Sequence, residues 1–139
     1  MGDRGHRAVP HTADLRLEAW APSRQECLAE ALRGLVESFA DVTDAPVQRR
    51  TERTVLAATD ADMLAMAGEE IIYVLDADGQ IPVKLQVRPT TGGVVLVLEL
   101  AAADSVEITG AVPKAISLHG LACQPDRAGR WSASMTVDV

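Results

Sequence analysis

Two apolar segments separated by little more than a glycine turn constrain this chain most. Ile81, Val83, Leu85 and Val87 alternate with Lys84, Gln86 and Arg88, and Val94 to Ala101 is almost wholly apolar, with Thr91-Gly92-Gly93 between them. Period-two alternation marks a strand with one wet face, and a glycine turn joining two such runs makes an antiparallel hairpin. A parallel pair would need a crossover of a dozen or more residues, usually a helix. The stretch from Ile81 to Thr109 has no room for one, so an all-parallel sheet is excluded.

The other segments fit around this hairpin. Leu15, Leu17 and Ala19 alternate with Asp14, Arg16 and Glu18, which predicts a strand over Ala13–Trp20 with Asp14 turned away from the Leu15 face. Ser23 to Glu26 spells a capping box, and Cys27, Leu28, Ala31, Leu32, Leu35, Val36 and Phe39 follow at helical spacing. Asp41 to Pro46 reads as a loop and Val47 to Ala57 as a strand. Asp60 or Asp62 is the expected cap of a second helix, whose stripe is Leu64, Ala67, Ile71 and Leu75 and whose stop is Asp78-Gly79. Ser105 to Thr109 reads as a short strand, Pro113 to Ser117 as a helical turn, Leu118 to Gln124 as extended, and Arg130 to Val139 as a closing strand. These elements predict an α+β fold, one compact domain over residues 1–139, with two main helices on a mixed or antiparallel sheet. Residues 1–7 read as a loose start.

With aromatics at 3% of residues, the core must be aliphatic, and Trp20, Phe39, Tyr73 and Trp131 read as isolated fillers that pack rather than bind. The formal charge of -7 argues against direct high-affinity nucleic-acid binding and favours a basic protein partner or cations. Cys27 and Cys123 form no C-x-x-C pair, so neither a zinc site nor a disulfide framework is signalled, and a reducing, cytoplasmic setting is expected. No apolar run is long enough for a signal peptide or a membrane span.

Three places hold polar groups that packing does not demand. His11 and Asp14 precede an apolar strand, where such a pair serves either as ligands or as loop hydrogen-bonding residues. Asp138 adjoins Val139, whose α-carboxylate is a second anion if the chain ends there. Asp14, Asp138 and that carboxylate would make an oxygen-rich set suited to Ca²⁺ first, then Mg²⁺ or Mn²⁺, and poorly suited to zinc. Lys114 to His119 is a short cation-bearing segment in which Lys114 reads from spacing as a solvated amine and His119 as a strand residue. Asp76-Ala77-Asp78-Gly79 lacks the later acidic positions of an EF-hand loop, and no G-x-G-x-x-G, Walker A or G-x-S-x-G sequence occurs.

Read in order, the chain resembles the archease family. His11-Thr12-Ala13-Asp14-Leu15-Arg16-Leu17-Glu18-Ala19-Trp20 is similar to that family's opening strand, and Ala31-Leu32-Arg33-Gly34-Leu35 to part of the helix after it. Pro113-Lys114-Ala115-Ile116-Ser117-Leu118-His119 resembles a later Val-Lys-Ala-x-Thr-Tyr-His segment, and Asp138-Val139 the family's terminal pair. The similarity covers roughly residues 6–139. In the second helix the family's Trp-Leu-Asn-Glu run is here Ala67-Gly68-Glu69-Glu70, with Glu70 and Tyr73 matching, a departure that bears on partner contacts through that helix face.

The resemblance implies a divalent cation on Asp14, Asp138 and Val139, with Lys114 close by and His11, His119 and Glu70 as further candidates. It implies no catalytic residue of the chain's own, but an activator of an RtcB-type GTP-dependent RNA ligase that promotes guanylylation and repeated turnover in tRNA splicing or RNA repair. On the residues alone, a stand-alone metal-dependent hydrolase and a chaperone-like or small-molecule binding module stay open.

Overall fold

The structure, a computed structural model, describes residues 2–10 and 14–139. In chain order the elements are β1 (Gly5–Pro10), β2 (Asp14–Ala21), α1 (Arg24–Glu37), β3 (Ala40–Asp41), β4 (Arg49–Leu56), α2 (Asp60–Asp78), β5 (Gln80–Thr90), β6 (Gly93–Ala102), a 3₁₀ turn (Ala103–Ser105), β7 (Glu107–Ile108), β8 (Ala115–Pro125) and β9 (Trp131–Asp138). They form a four-stranded sheet ordered β1-β2-β9-β8, a three-stranded sheet ordered β4-β6-β5 and the small pair β3-β7. Every pairing is antiparallel.

The helices form where their ends are satisfied. Ser23 is extended and its hydroxyl accepts from the Glu26 N–H at 3.2 Å, which starts α1 as its sequence demands. The cap of α2 is Thr59 rather than Asp60 or Asp62: the Thr59 hydroxyl accepts from the Asp62 N–H at 3.1 Å. Thr59 has the extended backbone a cap requires, and the two aspartates fall inside the first turn, where their charge meets the positive end of the helix dipole. Gly79, at φ 62°, ends α2 in a conformation that side chains resist.

Each helix touches both larger sheets: α1 lies on β1, β2 and β9 and also on β5, while α2 lies on β8 and also on β4 and β5. The core therefore sits between the helices and the inner faces of both sheets. Leu28, Leu32 and Leu35 of α1, Leu64 and Ile71 of α2, Leu96, Leu98 and Leu100 of β6 and Met135 and Val137 of β9 are all buried there. Leu75, the end of the second helical stripe, is half-buried at the core margin. Neither helix is long and apolar enough to cross a membrane.

Several elements differ from the sequence expectations. Gly5, His6 and Arg7 are strand rather than a loose start, because Arg7 pairs with Glu18 across β1 and β2 at 3.0 Å and His6 docks on Glu30 and Glu37 of α1. The alternation of β5 is broken between Pro82 and Lys84 by a register shift, so Pro82 is buried and Val83 only half-buried. Ser105 belongs to the 3₁₀ turn, and only Glu107 and Ile108 pair as strand, with Ala40 and Asp41. No helical turn forms over Pro113–Ser117: the chain enters β8 at Ala115, where Ala115, Ile116 and Ser117 take partners on β9. Tyr73 is no filler. It is 54% exposed, with the Arg53 guanidinium 5.2 Å above its ring.

Candidate metal centre at the sheet end

The site is built by strand register. In the β2–β9 pair, Leu15, Leu17 and Ala19 stand opposite Val137, Met135 and Ala133 on the buried face. The alternate residues Asp14, Arg16, Glu18 and Trp20 stand opposite Asp138, Thr136, Ser134 and Ser132 on the other face. Burying the apolar set fixes the register, since a slip of one residue would turn every side chain over. That register makes Asp14 and Asp138 direct cross-strand partners. Their Cβ atoms are then about 4.5–5.5 Å apart, and like charges so placed destabilise the pair unless a cation lies between or beside them.

The third strand completes the row. Asp138 also pairs with Ala115 of β8, and the Lys114 N–H donates to the Asp138 carbonyl at 2.7 Å. Lys114 is thus anchored by its backbone one residue from the row while its side chain is exposed. Val139 lies just past β9, half-buried against the core. Asp14 is half-buried and Asp138 exposed, so a cation there would have protein oxygens on one side and solvent on the other. Among the described residues, no three His, Cys, Asp or Glu side chains converge as a ready metal cluster. The donor set is the two aspartates, with the Val139 carboxylate as third donor in a chain that ends there. These are hard oxygen donors, which fit Ca²⁺, Mg²⁺ or Mn²⁺.

The remaining candidates fall in different places. His11 lies outside the described residues. His119 rides on an irregularity of β8, where the residues between Ser117 and Ala122 leave the register with β9. Its backbone N–H donates to the Ser117 hydroxyl at 3.1 Å, and its residue is exposed beside Leu118, which is 77% exposed. Glu70 is not brought to the aspartate row: it is an ion-pair partner of Arg53 on β4, at 2.9 Å.

Its neighbour Glu69 is the residue that sequence reasoning missed. The Glu69 carboxylate accepts from the Ile116 N–H at 2.7 Å and so ties α2 to the edge of β8, two residues past Lys114. Ala67 and Gly68 are buried, and a Cβ built on Gly68 would lie 2.8 Å from Ile116 Cγ1. The divergent stretch of the second helix is therefore an internal seam between α2 and β8, at Ala67 and Gly68 closed to any partner.

The two thiols also meet. Cys123 shares a cross-strand row with Ala133 and Ala19, while the Cys27 thiol reaches the Ala19 carbonyl at 3.8 Å. With only alanines between them, the buried cysteines come within hydrogen-bonding reach. The hydrogen bond to Cys123, reinforced by burial, pushes the Cys27 thiol well above the ordinary range. The same contact draws the Cys123 thiol below it.

The chain as a whole is similar to known proteins. A family profile described as "Archease protein family (MTH1598/TM1083)" matches residues 6–139. Two proteins called "Probable protein archease", from Mycobacterium tuberculosis strains CDC 1551 / Oshkosh and ATCC 25618 / H37Rv, are each 45% identical over 135 residues, 97% of this chain and 75% of theirs. The solution structure of Methanobacterium thermoautotrophicum protein 1598 superposes with a TM-score of 0.68 over 97% of this chain and 99% of its own, at 19% identity, a likeness of fold.

Proposed function

This chain belongs to the archease family, accessory factors in RNA processing, and on that premise we propose that it activates an RtcB-type GTP-dependent RNA ligase. In this reading it promotes guanylylation of the ligase and allows repeated turnover, and the ligase supplies the catalytic groups. The observation that carries the proposal is the register pairing of Asp14 with Asp138 beside a backbone-anchored Lys114.

Asp14, Asp138 and the terminal carboxylate of Val139 would hold the cation. A divalent ion there supplies a Lewis-acidic centre that attracts a phosphate or carboxylate oxygen on the partner. The chain's own residues do the positioning. Val137 is buried between the aspartate row and the core and fixes the end of β9. The Lys114 N–H holds the Asp138 carbonyl from the β8 side, and in this reading the exposed Lys114 amine would bring a positive charge toward the partner's anion. Glu69 and Gly68 hold β8 on α2, so that this edge is stiff when a partner approaches.

The test is a guanylylation and turnover assay with the cognate ligase. Asp14→Asn, Asp138→Asn and a carboxy-terminal extension should each abolish stimulation while the melting temperature stays at or above that of the unaltered protein. Full stimulation by folded Asp14→Asn and Asp138→Asn proteins would refute the reading. Turnover of a phosphoester by the purified chain alone would instead make it a hydrolase.

A further inference from the structure

The chain's two cysteines, Cys27 and Cys123, take no part in the aspartate row, yet the fold brings them together. Cys27 sits at the start of α1, where its N–H donates to the Ser23 carbonyl at 3.0 Å. Its thiol is turned onto the sheet and reaches the Ala19 carbonyl of β2 at 3.8 Å. Cys123 comes up from that sheet: it stands opposite Ala133 of β9, which stands opposite Ala19, and all three are buried beneath the helices. Alanine is the smallest side chain a strand offers short of glycine, so Ala19 and Ala133 leave open the space in which the two sulfurs approach. Among the described residues no group of three or more His, Cys, Asp or Glu side chains converges as a metal cluster. A zinc site takes four ligands, so the two thiols are left to each other.

The pair is also unequal in the way that stepwise thiol oxidation requires. Cys27 is 0% exposed and held protonated, whereas Cys123 is 8% exposed and its thiol is drawn below the ordinary range by the contact with Cys27. The thiolate is the reactive form of a cysteine, which makes Cys123 the attacking sulfur and Cys27 the one that follows. Cys123 lies on β8, an edge strand of its sheet, where a small oxidant meets less protein than at the sheet centre. The partly exposed ion pair of Arg24 and Asp60 carries charges that act on it: Arg24 favours the thiolate, while burial and Asp60 oppose it.

We propose that Cys27 and Cys123 form a redox-active dithiol that hydrogen peroxide converts into a reversible disulfide within the chain. The Cys123 thiolate attacks one peroxide oxygen, the O–O bond breaks, and the departing hydroxide takes up a proton and leaves as water. Cys123 is then a sulfenic acid. The Cys27 sulfur attacks the Cys123 sulfur, the S–O bond breaks, and the Cys27 thiol proton goes to the departing hydroxide as a second water. Two thiols have lost two electrons, and one peroxide has been reduced to two waters. A dithiol reductant reopens the bond by exchange. While closed, the bond ties the start of α1 to β8, the strand on which Ile116 also meets Glu69 of α2, and it closes a long loop of the unfolded chain. Both effects favour the folded state.

The test uses the full, unaltered chain, exposed to hydrogen peroxide, then unfolded, alkylated with iodoacetamide and weighed. The expected product has lost two hydrogen atoms, takes up no alkyl group, runs as a monomer without reductant and yields a linked pair of tryptic peptides, residues 25–33 with residues 115–127. It should melt at a higher temperature than the reduced chain and return to the lower value with dithiothreitol. Cys27→Ala should stop at a sulfenic acid on Cys123 that dimedone traps, and Cys123→Ala should keep Cys27 a free thiol. Two thiols still free after exposure, sulfinic acid on Cys123 of the unaltered chain without a disulfide, or disulfides formed only between chains would overturn the proposal. No ligase takes part in any step, so the result is separate from that of the activation assay.

Discussion

Replacing Gly68 by alanine should reverse its effect on stability according to what stands at position 116. Gly68 lies inside α2, where alanine is favoured over glycine by roughly 1 kcal/mol because less backbone freedom is lost on folding. Against that gain, the new methyl would sit 2.8 Å from Ile116 Cγ1 and 3.0 Å from Cδ1, and 3.9 Å from Leu35 Cδ2. Ile116 is only 7% exposed and its N–H is held by Glu69, so it has little room to withdraw. Overpacking of this kind costs about 1–3 kcal/mol, so Gly68→Ala alone should be neutral to destabilising by about 2 kcal/mol. Ile116→Ala removes both clashing atoms at a cost of its own of about 2–5 kcal/mol. In that background Gly68→Ala should stabilise by about 1 kcal/mol. Urea denaturation of the four proteins gives the coupling energy directly, expected to be at least about 1 kcal/mol. Equal stabilisation by Gly68→Ala in both backgrounds would refute the account of the α2–β8 seam.

Two further predictions concern the helix cap and the thiols. Thr59→Ala should cost about 1 kcal/mol by freeing the Asp62 N–H, while Asp60→Asn, inside the first turn and paired with Arg24 at 3.1 Å, should cost less; thermal melts decide the order. Iodoacetamide should label Cys123 well before Cys27, because the Cys27 thiol is fully buried and held protonated, and mass spectrometry of partly labelled protein would contradict this by finding Cys27 modified first.

The parts of the fold visible in the sequence were those with local causes. The capping box at Ser23, the helical spacing of Leu28, Leu32 and Leu35, the Gly79 stop and the β5–β6 hairpin each depend on residues a few positions apart. The opposition of Asp14 to Asp138 follows from two alternating strands, one near each end, and their register partners bring those ends together. What could not be read depends on contacts between distant segments. Glu69 could not be singled out, because its acceptor role concerns a backbone N–H 47 residues away. Glu70 matched the family pattern, yet it belongs to Arg53 and the other sheet. Leu118 to Gln124 was legible as extended, but the start of β8 at Ala115 to Ser117 read as a helical turn behind Pro113, and the irregularity around Gly120, at φ 70°, parts the two pieces of one strand. The cysteine pair, far apart in sequence, is brought together by two small alanines in one cross-strand row.

The most direct measurement of the central claim is the melting temperature of the isolated protein as Ca²⁺, Mn²⁺ or Mg²⁺ is raised after exhaustive chelation. A ligand that binds only the folded state stabilises it in proportion to the logarithm of its concentration once past its dissociation constant. The account predicts a rise for the unaltered chain with at least one of these ions. It predicts none for Asp14→Asn or Asp138→Asn, whose metal-free forms should melt no lower than the unaltered chain because the like-charge pair is relieved. An equal rise in all three proteins, or no rise with any of the ions, would contradict it.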